Sequence, residues 1–254
     1  MNFEDAWKVW PQYGLPQHGL SLLMSKLTHS QNRTVKNLLI RQVIQRYGVD
    51  MSEAKEENIE RFPSFNAFFT RELKPGIRPI AEGKDAIACP ADGVISQCGA
   101  ISGEKLLQAK GSTFTVFDLL GRDLERANPF YNGSFATIYL SPKDYHRLHM
   151  PVTGTLREMV HVPGRLFSVN EATARSVPGL FARNERVVAV FDTEWGLMAL
   201  VLVGAIFVSS VETVWHGVVT LPTAPTVQTW DYRMKAEALK NKPIILNKGE
   251  EMGR

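Results

Sequence analysis

The sequence predicts an α+β fold, with N-terminal helices packed on or beside a mostly antiparallel, β-rich domain. Three observations carry this expectation. Apolar residues recur at helical spacing early in the chain, notably over 33–47. After Pro79 the pattern changes to short β-like runs punctuated by Gly and Pro. No Asp or Glu occurs between residues 6 and 49, whereas Lys8, Lys26, Arg33, Lys36, Arg41 and Arg46 do. That one-signed charge sets residues 1–50 apart as a basic helical segment and leaves 51–254 as the β-rich domain.

Taken in order, residues 20–27 and 33–47 read as helices. In the second, Val35, Leu38, Leu39, Val43, Ile44 and Tyr47 form the apolar stripe, with basic residues at other angles. Trp7, Trp10 and Tyr13 precede them, aromatics of the kind that gather at lipid–water interfaces. A basic amphipathic helix beside Trp suits an anionic membrane surface. Packing of the same helix on the rest of the protein is the alternative. Residues 65–73 form a short helix ended before Pro75-Gly76, its aromatics belonging to the core. Strand-like runs follow at 93–97, 134–140, 154–162, 186–192, 197–209 and 213–220, with helices at 115–120 and 233–241. Residues 221–226 read as a surface loop.

A chain of 254 residues buries a sizeable core in one or two domains. Its net charge of +3 is too small to argue for nucleic acid. Cys89 and Cys98 are the only cysteines and lack metal or redox spacing, so a reducing compartment fits. The acidic start differs from a secretory signal. The longest apolar run, 197–208, falls short of the roughly 20 residues a spanning helix needs.

The densest chemistry lies in YLSPKDYHRLHMP, residues 139–151, where two of the six histidines, His146 and His149, stand three apart. Imidazole exchanges protons most readily near neutral pH. Both histidines fall just past a strand end. Upstream, PADGVIS carries Asp92 between small residues. An Asp that orients a proton-accepting His is one reading of the pair. Asp before Gly equally caps turns, and either histidine equally serves as a hydrogen-bonded structural residue. No Cys or nearby carboxylate completes a zinc set around the histidines.

The strings PADGVISQ, LQAKG, YLSPKDYHRLHMP, VPGRLFSVN, LFARNERV and KGEEMGR appear in order from about Phe65 to Arg254. Together they resemble bacterial phosphatidylserine decarboxylase. The resemblance implies a proenzyme that cuts itself between Gly and Ser a few residues beyond EMGR, the Ser becoming a covalent pyruvoyl group. By that resemblance the chain corresponds to the large, non-pyruvoyl (beta) subunit. It is expected to be inactive alone and to need the C-terminal pyruvoyl (alpha) subunit as partner. The resemblance also assigns Asp92 and His149 to the self-cleavage relay. His146 is the candidate for protonating the substrate carbon, and Tyr139, Ser168 and Asn170 for positioning substrate. Gly111-Ser112-Thr113 mimics the cleavage sequence but follows LQAK, well upstream. Expected partners are phosphatidylserine, an anionic phospholipid surface on the cytoplasmic face of the cell membrane, and a second copy of the heterodimer. Against a Ser-His-Asp lipid hydrolase, no Gly-x-Ser-x-Gly elbow occurs. An inactive lipid-binding fragment is the non-enzymatic alternative.

Overall fold

The computed structural model describes residues 3–109, 112–208, 210–220, 226–233 and 242–254. Three helices open the chain: α1 (Phe3–Gly14), α2 (Gln17–Thr28) and α3 (Arg33–Tyr47). The short α4 (Phe65–Phe69) follows. Strands β1 (Val94–Ala100), β2 (Lys105–Ala109) and β3 (Ser112–Thr115) lead to α5 (Val116–Leu119) and α6 (Leu124–Ala127). Next come β4 (Ser134–Tyr139), β5 (Leu148–His149) and β6 (Gly154–Val162), then α7 (Glu171–Ser176) and α8 (Leu180–Arg183). The rest is strand: β7 (Arg186–Thr193), β8 (Gly196–Val203), β9 (Glu212–Thr213), β10 (Gly217–Val218), β11 (Gln228–Asp231), β12 (Ile245–Leu246) and β13 (Glu251–Gly253). Every pairing between these strands is antiparallel, as the α+β expectation requires.

The largest sheet runs β11-β6-β7-β8, with β12 also pairing to β6. Its centre is β7, whose run VVAVF is apolar without alternation because both of its faces are covered. Val188 and Val190 meet Phe114, Leu120 and Val160 on one side. Val187, Ala189 and Phe191 meet Met150, Met159 and Met252 on the other. A second sheet runs β10-β9-β13-β5 and brings the last residues of the chain beside His149.

Helix α3 has the sequence-predicted bounds because Asn32 caps its start, accepting from the Thr34 and Val35 amides. Gly48 closes it in the left-handed conformation. Its buried side differs from the predicted stripe. Lys36 and Ile40 are buried, whereas Leu38 and Tyr47 are exposed. Lys36 donates to the Ile59 and Glu60 carbonyls and to Asn37, so it is not a membrane-facing cation.

Other boundaries moved for identifiable reasons. Trp7, Trp10 and Tyr13 lie in a helix of their own, despite Pro11 within it. The helix expected over 65–73 ends at Phe69, since Leu73 bridges to Ala54 and residues 72 and 74 hydrogen-bond to 55 and 53. The run 197–209 stops at Val203, where Ala205 and Val208 close a tight turn. The run 213–220 is split into β9 and β10, which pair with each other. The helix expected over 233–241 and the loop over 221–226 lie almost wholly outside the described residues. No described helix is long and apolar enough to cross a membrane.

Candidate functional site

The site begins at a turn that only glycine permits. Gly93 has φ +125°, and a Cβ there would lie 2.3 Å from the Tyr139 carbonyl oxygen. Close approach of this turn to β4 places Asp92 at the mouth of a polar cavity of about 200 Å³. Arg71, Arg78, Lys143, Asp144 and Tyr145 also line it. Arg78 grips Asp92 through Nε (2.9 Å to Oδ1) and Nη2 (2.7 Å to Oδ2). Its other edge donates to Glu53 at 2.8 and 3.1 Å. Hydrogen bonds to Asp92 and then to Glu53 raise the guanidinium pKa above its ordinary value.

His149 sits on β5, opposite Glu251 of β13. Its Nδ1 lies 2.8 Å from the Gly249 carbonyl oxygen, an acceptor only, so Nδ1 carries the proton. The Nε2 lone pair then accepts from the Tyr145 hydroxyl at 3.0 Å. The Tyr145 ring stacks on the imidazole with centroids 5.7 Å apart. The tautomer-fixing contact expected from Asp92 is therefore made by the Gly249 carbonyl. No hydrogen bond joins Asp92 to His149 among the described residues; Tyr145, which lines the cavity with Asp92, stands next to His149 through its hydroxyl.

His146 lies in the loop between β4 and β5. Its Nδ1 donates to the Asp144 carbonyl at 2.8 Å, and its ring packs on Phe69 with centroids 4.0 Å apart. Phe69 thus belongs to the site, while its neighbour Phe68 is the core aromatic. Burial drives the His146 pKa down to about 4, against the smaller raising effect of the Asp144 bond. At neutral pH this imidazole is uncharged. Arg71, 5% exposed, lies close enough to lower it further. Arg71 donates through Nη2 to the Lys143 carbonyl, but its Nε and Nη1 are buried without a partner among the described residues.

The three substrate-positioning candidates fall where the helical layer meets the β domain. Tyr139 ends β4; burial raises its hydroxyl pKa, and Asp144, Tyr47 and Glu171 add to that. Ser168 is held by Gln12 of α1, its amide donating to Gln12 Oε1 and its Oγ accepting from Nε2. Asn170 caps α7 through the Thr173 amide and donates to Ser168 Oγ at 3.3 Å. Both therefore have structural work that the sequence did not disclose.

Sequence reasoning missed Tyr145, Arg71, Arg78, Glu53 and Gly249. Tyr145, four residues before His149 in a histidine-bearing motif, carried a signal. The others are separated from the motif along the chain and carried none. Among the described residues no group of three His, Cys, Asp or Glu side chains is placed to hold a metal ion.

A mostly antiparallel α+β domain that holds two differently wired histidines beside a polar cavity offers the groups that a proton-transfer site needs. Comparison with known proteins specifies it. The family model for phosphatidylserine decarboxylase matches residues 65–254, and a second model described as PSD matches 7–48. The phosphatidylserine decarboxylase proenzyme of Bordetella pertussis is 57% identical over 254 residues, all of this chain and 84% of the relative. Those of Vibrio cholerae and Methylococcus capsulatus are 54% and 55% identical, over 98% and 96% of this chain and 86% and 82% of theirs. The chain belongs to the phosphatidylserine decarboxylase family.

Proposed function

We propose that this chain works in the pyruvoyl-dependent conversion of phosphatidylserine to phosphatidylethanolamine, with His149 serving self-cleavage and His146 serving decarboxylation. The observation that carries the division is the difference in their wiring. His149 has its proton fixed on Nδ1 and a lone pair at Nε2, the form a general base needs. Asp92, held by Arg78, supplies the carboxylate that steadies the positive charge developing on His149. Strand β13 pairs with β5 and sets Glu251 opposite His149, so the C-terminal strand is part of the wall around the base.

The residues present fit a carbonyl-bearing group. Arg71 has two buried N–H groups wanting an acceptor, and His146 lies beside them. Such a group, when bound, supplies an electron sink for the carbanion left by departing carbon dioxide. His146 begins uncharged. An anionic headgroup entering beside it opposes the field of Arg71, raises the imidazole pKa, and equips Nε2 to hold the proton that the substrate carbon requires. Tyr139, Ser168 and Asn170 border the headgroup.

The helical segment docks the enzyme on the cytoplasmic membrane face. Trp7 is 81% and Trp10 69% exposed, with Leu22, Leu23, Leu27 and Leu38 open nearby on α2 and α3. Apolar burial in lipid contributes roughly 25 cal/mol per Å². Lys26, Arg41 and Arg46 are exposed and add electrostatic attraction of about 1 kcal/mol each near an anionic surface.

The test uses the full-length proenzyme. His149→Ala is expected to remain uncut. His146→Ala is expected to cut yet release no carbon dioxide from phosphatidylserine. Gel analysis beside a decarboxylation assay reads both, and a His149→Ala precursor that cuts normally overturns the assignment.

A further inference from the structure

Both ring nitrogens of His149 are occupied. The Gly249 carbonyl holds Nδ1 and the Tyr145 hydroxyl holds Nε2, so a nucleophile reaches the basic nitrogen only by displacing Tyr145 or by acting through it. Displacement is resisted from two sides. The Tyr145 side chain is buried and its ring is stacked on the imidazole it serves. Its oxygen, having donated its proton to Nε2, keeps lone pairs with which to accept one.

We infer that Tyr145 is a further catalytic residue of self-cleavage, its hydroxyl bridging the downstream serine and His149. This rests on the reading of His149 as the base. In the step, the serine Oγ–H bond breaks as an O–H bond forms to the Tyr145 oxygen. At the same time the Tyr145 O–H bond breaks and its proton passes to His149 Nε2. The phenol is neutral before and after, His149 becomes an imidazolium, and the serine alkoxide attacks the preceding carbonyl carbon.

The surroundings suit a relay that never ionises. Burial raises the Tyr145 pKa, the nearby Asp92 and Glu251 charges add to it, and Arg147 opposes them. The hydroxyl therefore stays protonated and passes a proton on without releasing one. Asp92 lines the same cavity as Tyr145. Its negative charge reaches Tyr145, so the Asp acts on the relay through the bridging phenol and needs no direct hydrogen bond to His149.

The experiment compares the full-length proenzyme with its Tyr145→Phe and His149→Ala variants, following cleavage on gels in mixtures of light and heavy water. Phe keeps the stacked ring and removes the hydroxyl. Cleavage by Tyr145→Phe is expected to slow at least about 100-fold, the low side of what a general acid–base group contributes. The rate of the parent should depend on deuterium content with the curvature of two moving protons, and that of Tyr145→Phe with the straight line of one. Cutting at or above the parental rate makes Tyr145 a bystander or a plug and overturns the inference. A slowed rate with unchanged curvature makes it an orienting ring only, and also overturns it. Normal cutting by His149→Ala instead removes the base itself, and the relay falls with it. Should Tyr145→Phe fail to fold, 3,5-difluorotyrosine at position 145 retains the hydroxyl as a stronger acid. Cleavage then changes rate if the hydroxyl transfers a proton; an unchanged rate overturns the inference.

Discussion

Strand β7 and helix α1 are both rich in large apolar side chains, and they use them in opposite ways. Phe191 of β7 is fully buried, sealed between β6, β8 and the edge of Trp215. Trp10 of α1 stands mostly in solvent. Helix α1 is fastened largely by polar contacts with the segment 164–170. Gln12 brackets Ser168, and Arg165 donates to the Tyr13 carbonyl. Just beyond it, Gln17 accepts from the Leu166 amide. Among the described side chains of α1, Val9 alone enters a core cluster. Hydrophobicity thus builds the β domain and the α3 core, whereas the largely polar anchoring of α1 leaves Trp7 and Trp10 exposed.

That contrast can be broken most forcefully at Phe191. Phe191→Ala should cost about 3–5 kcal/mol through lost burial and an unfilled cavity, read from urea unfolding. A loss no larger than that of a surface change would mean β7 is not the keystone of the domain.

His146 offers a pH test of the β domain's interior. Its folded pKa of about 4 lies below the ordinary 6.5. The unfolded chain therefore binds the additional proton between those values, and stability rises with pH across that window. The contribution is complete above pH 6.5 and is lost as pH falls to about 4. It amounts to on the order of 3 kcal/mol. His146→Asn should flatten this slope in unfolding curves taken near both ends; an unchanged slope assigns the acid sensitivity elsewhere.

The polar fastening is tested at Gln17. Gln17→Ala strands the Leu166 amide and should cost about 1–3 kcal/mol, with faster hydrogen exchange in residues 7–28 and unchanged exchange in β7. Exchange that quickens in both regions would show that the two layers unfold as one.

The smallest stability effect belongs to the most exposed side chains. Replacing Trp7 and Trp10 by Gln should shift stability by no more than about 0.5 kcal/mol. Sedimentation with phosphatidylserine vesicles at high salt should nevertheless fall several-fold, because the charge attraction is already screened there. Undiminished binding would assign membrane contact to another surface.

What the sequence disclosed follows from how local each signal is. The α3 cap at Asn32, the glycine stop at Gly48 and the apolar runs of β6 and β7 are written in consecutive residues, and those elements fall at or within a residue of their expected bounds. The two-residue strands β5, β9, β10 and β12 have no pattern of their own, being defined by their partners. Lys36 was misassigned because its burial is repaid by carbonyls 23 and 24 residues away. In the candidate site, His146, His149 and Asp92 were legible as chemistry but their wiring was not. Arg78 reaches Asp92 from 14 residues upstream, and Glu53 reaches Arg78 from 25.

The carbonyl that fixes the His149 tautomer arrives 100 residues after the histidine itself. A nascent chain emerging from the ribosome therefore carries an imidazole whose proton is free to sit on either nitrogen. Closing so long a loop is slow, and it becomes favourable only when the intervening sheet has formed to hold the ends together. With His149 as the proposed base, competence for self-cleavage is tied to the completion of folding, because a misfolded chain lacks a correctly set base. On that proposal the pairing of β5 with β13 is an assembly checkpoint, written into the topology rather than supplied by a separate regulator.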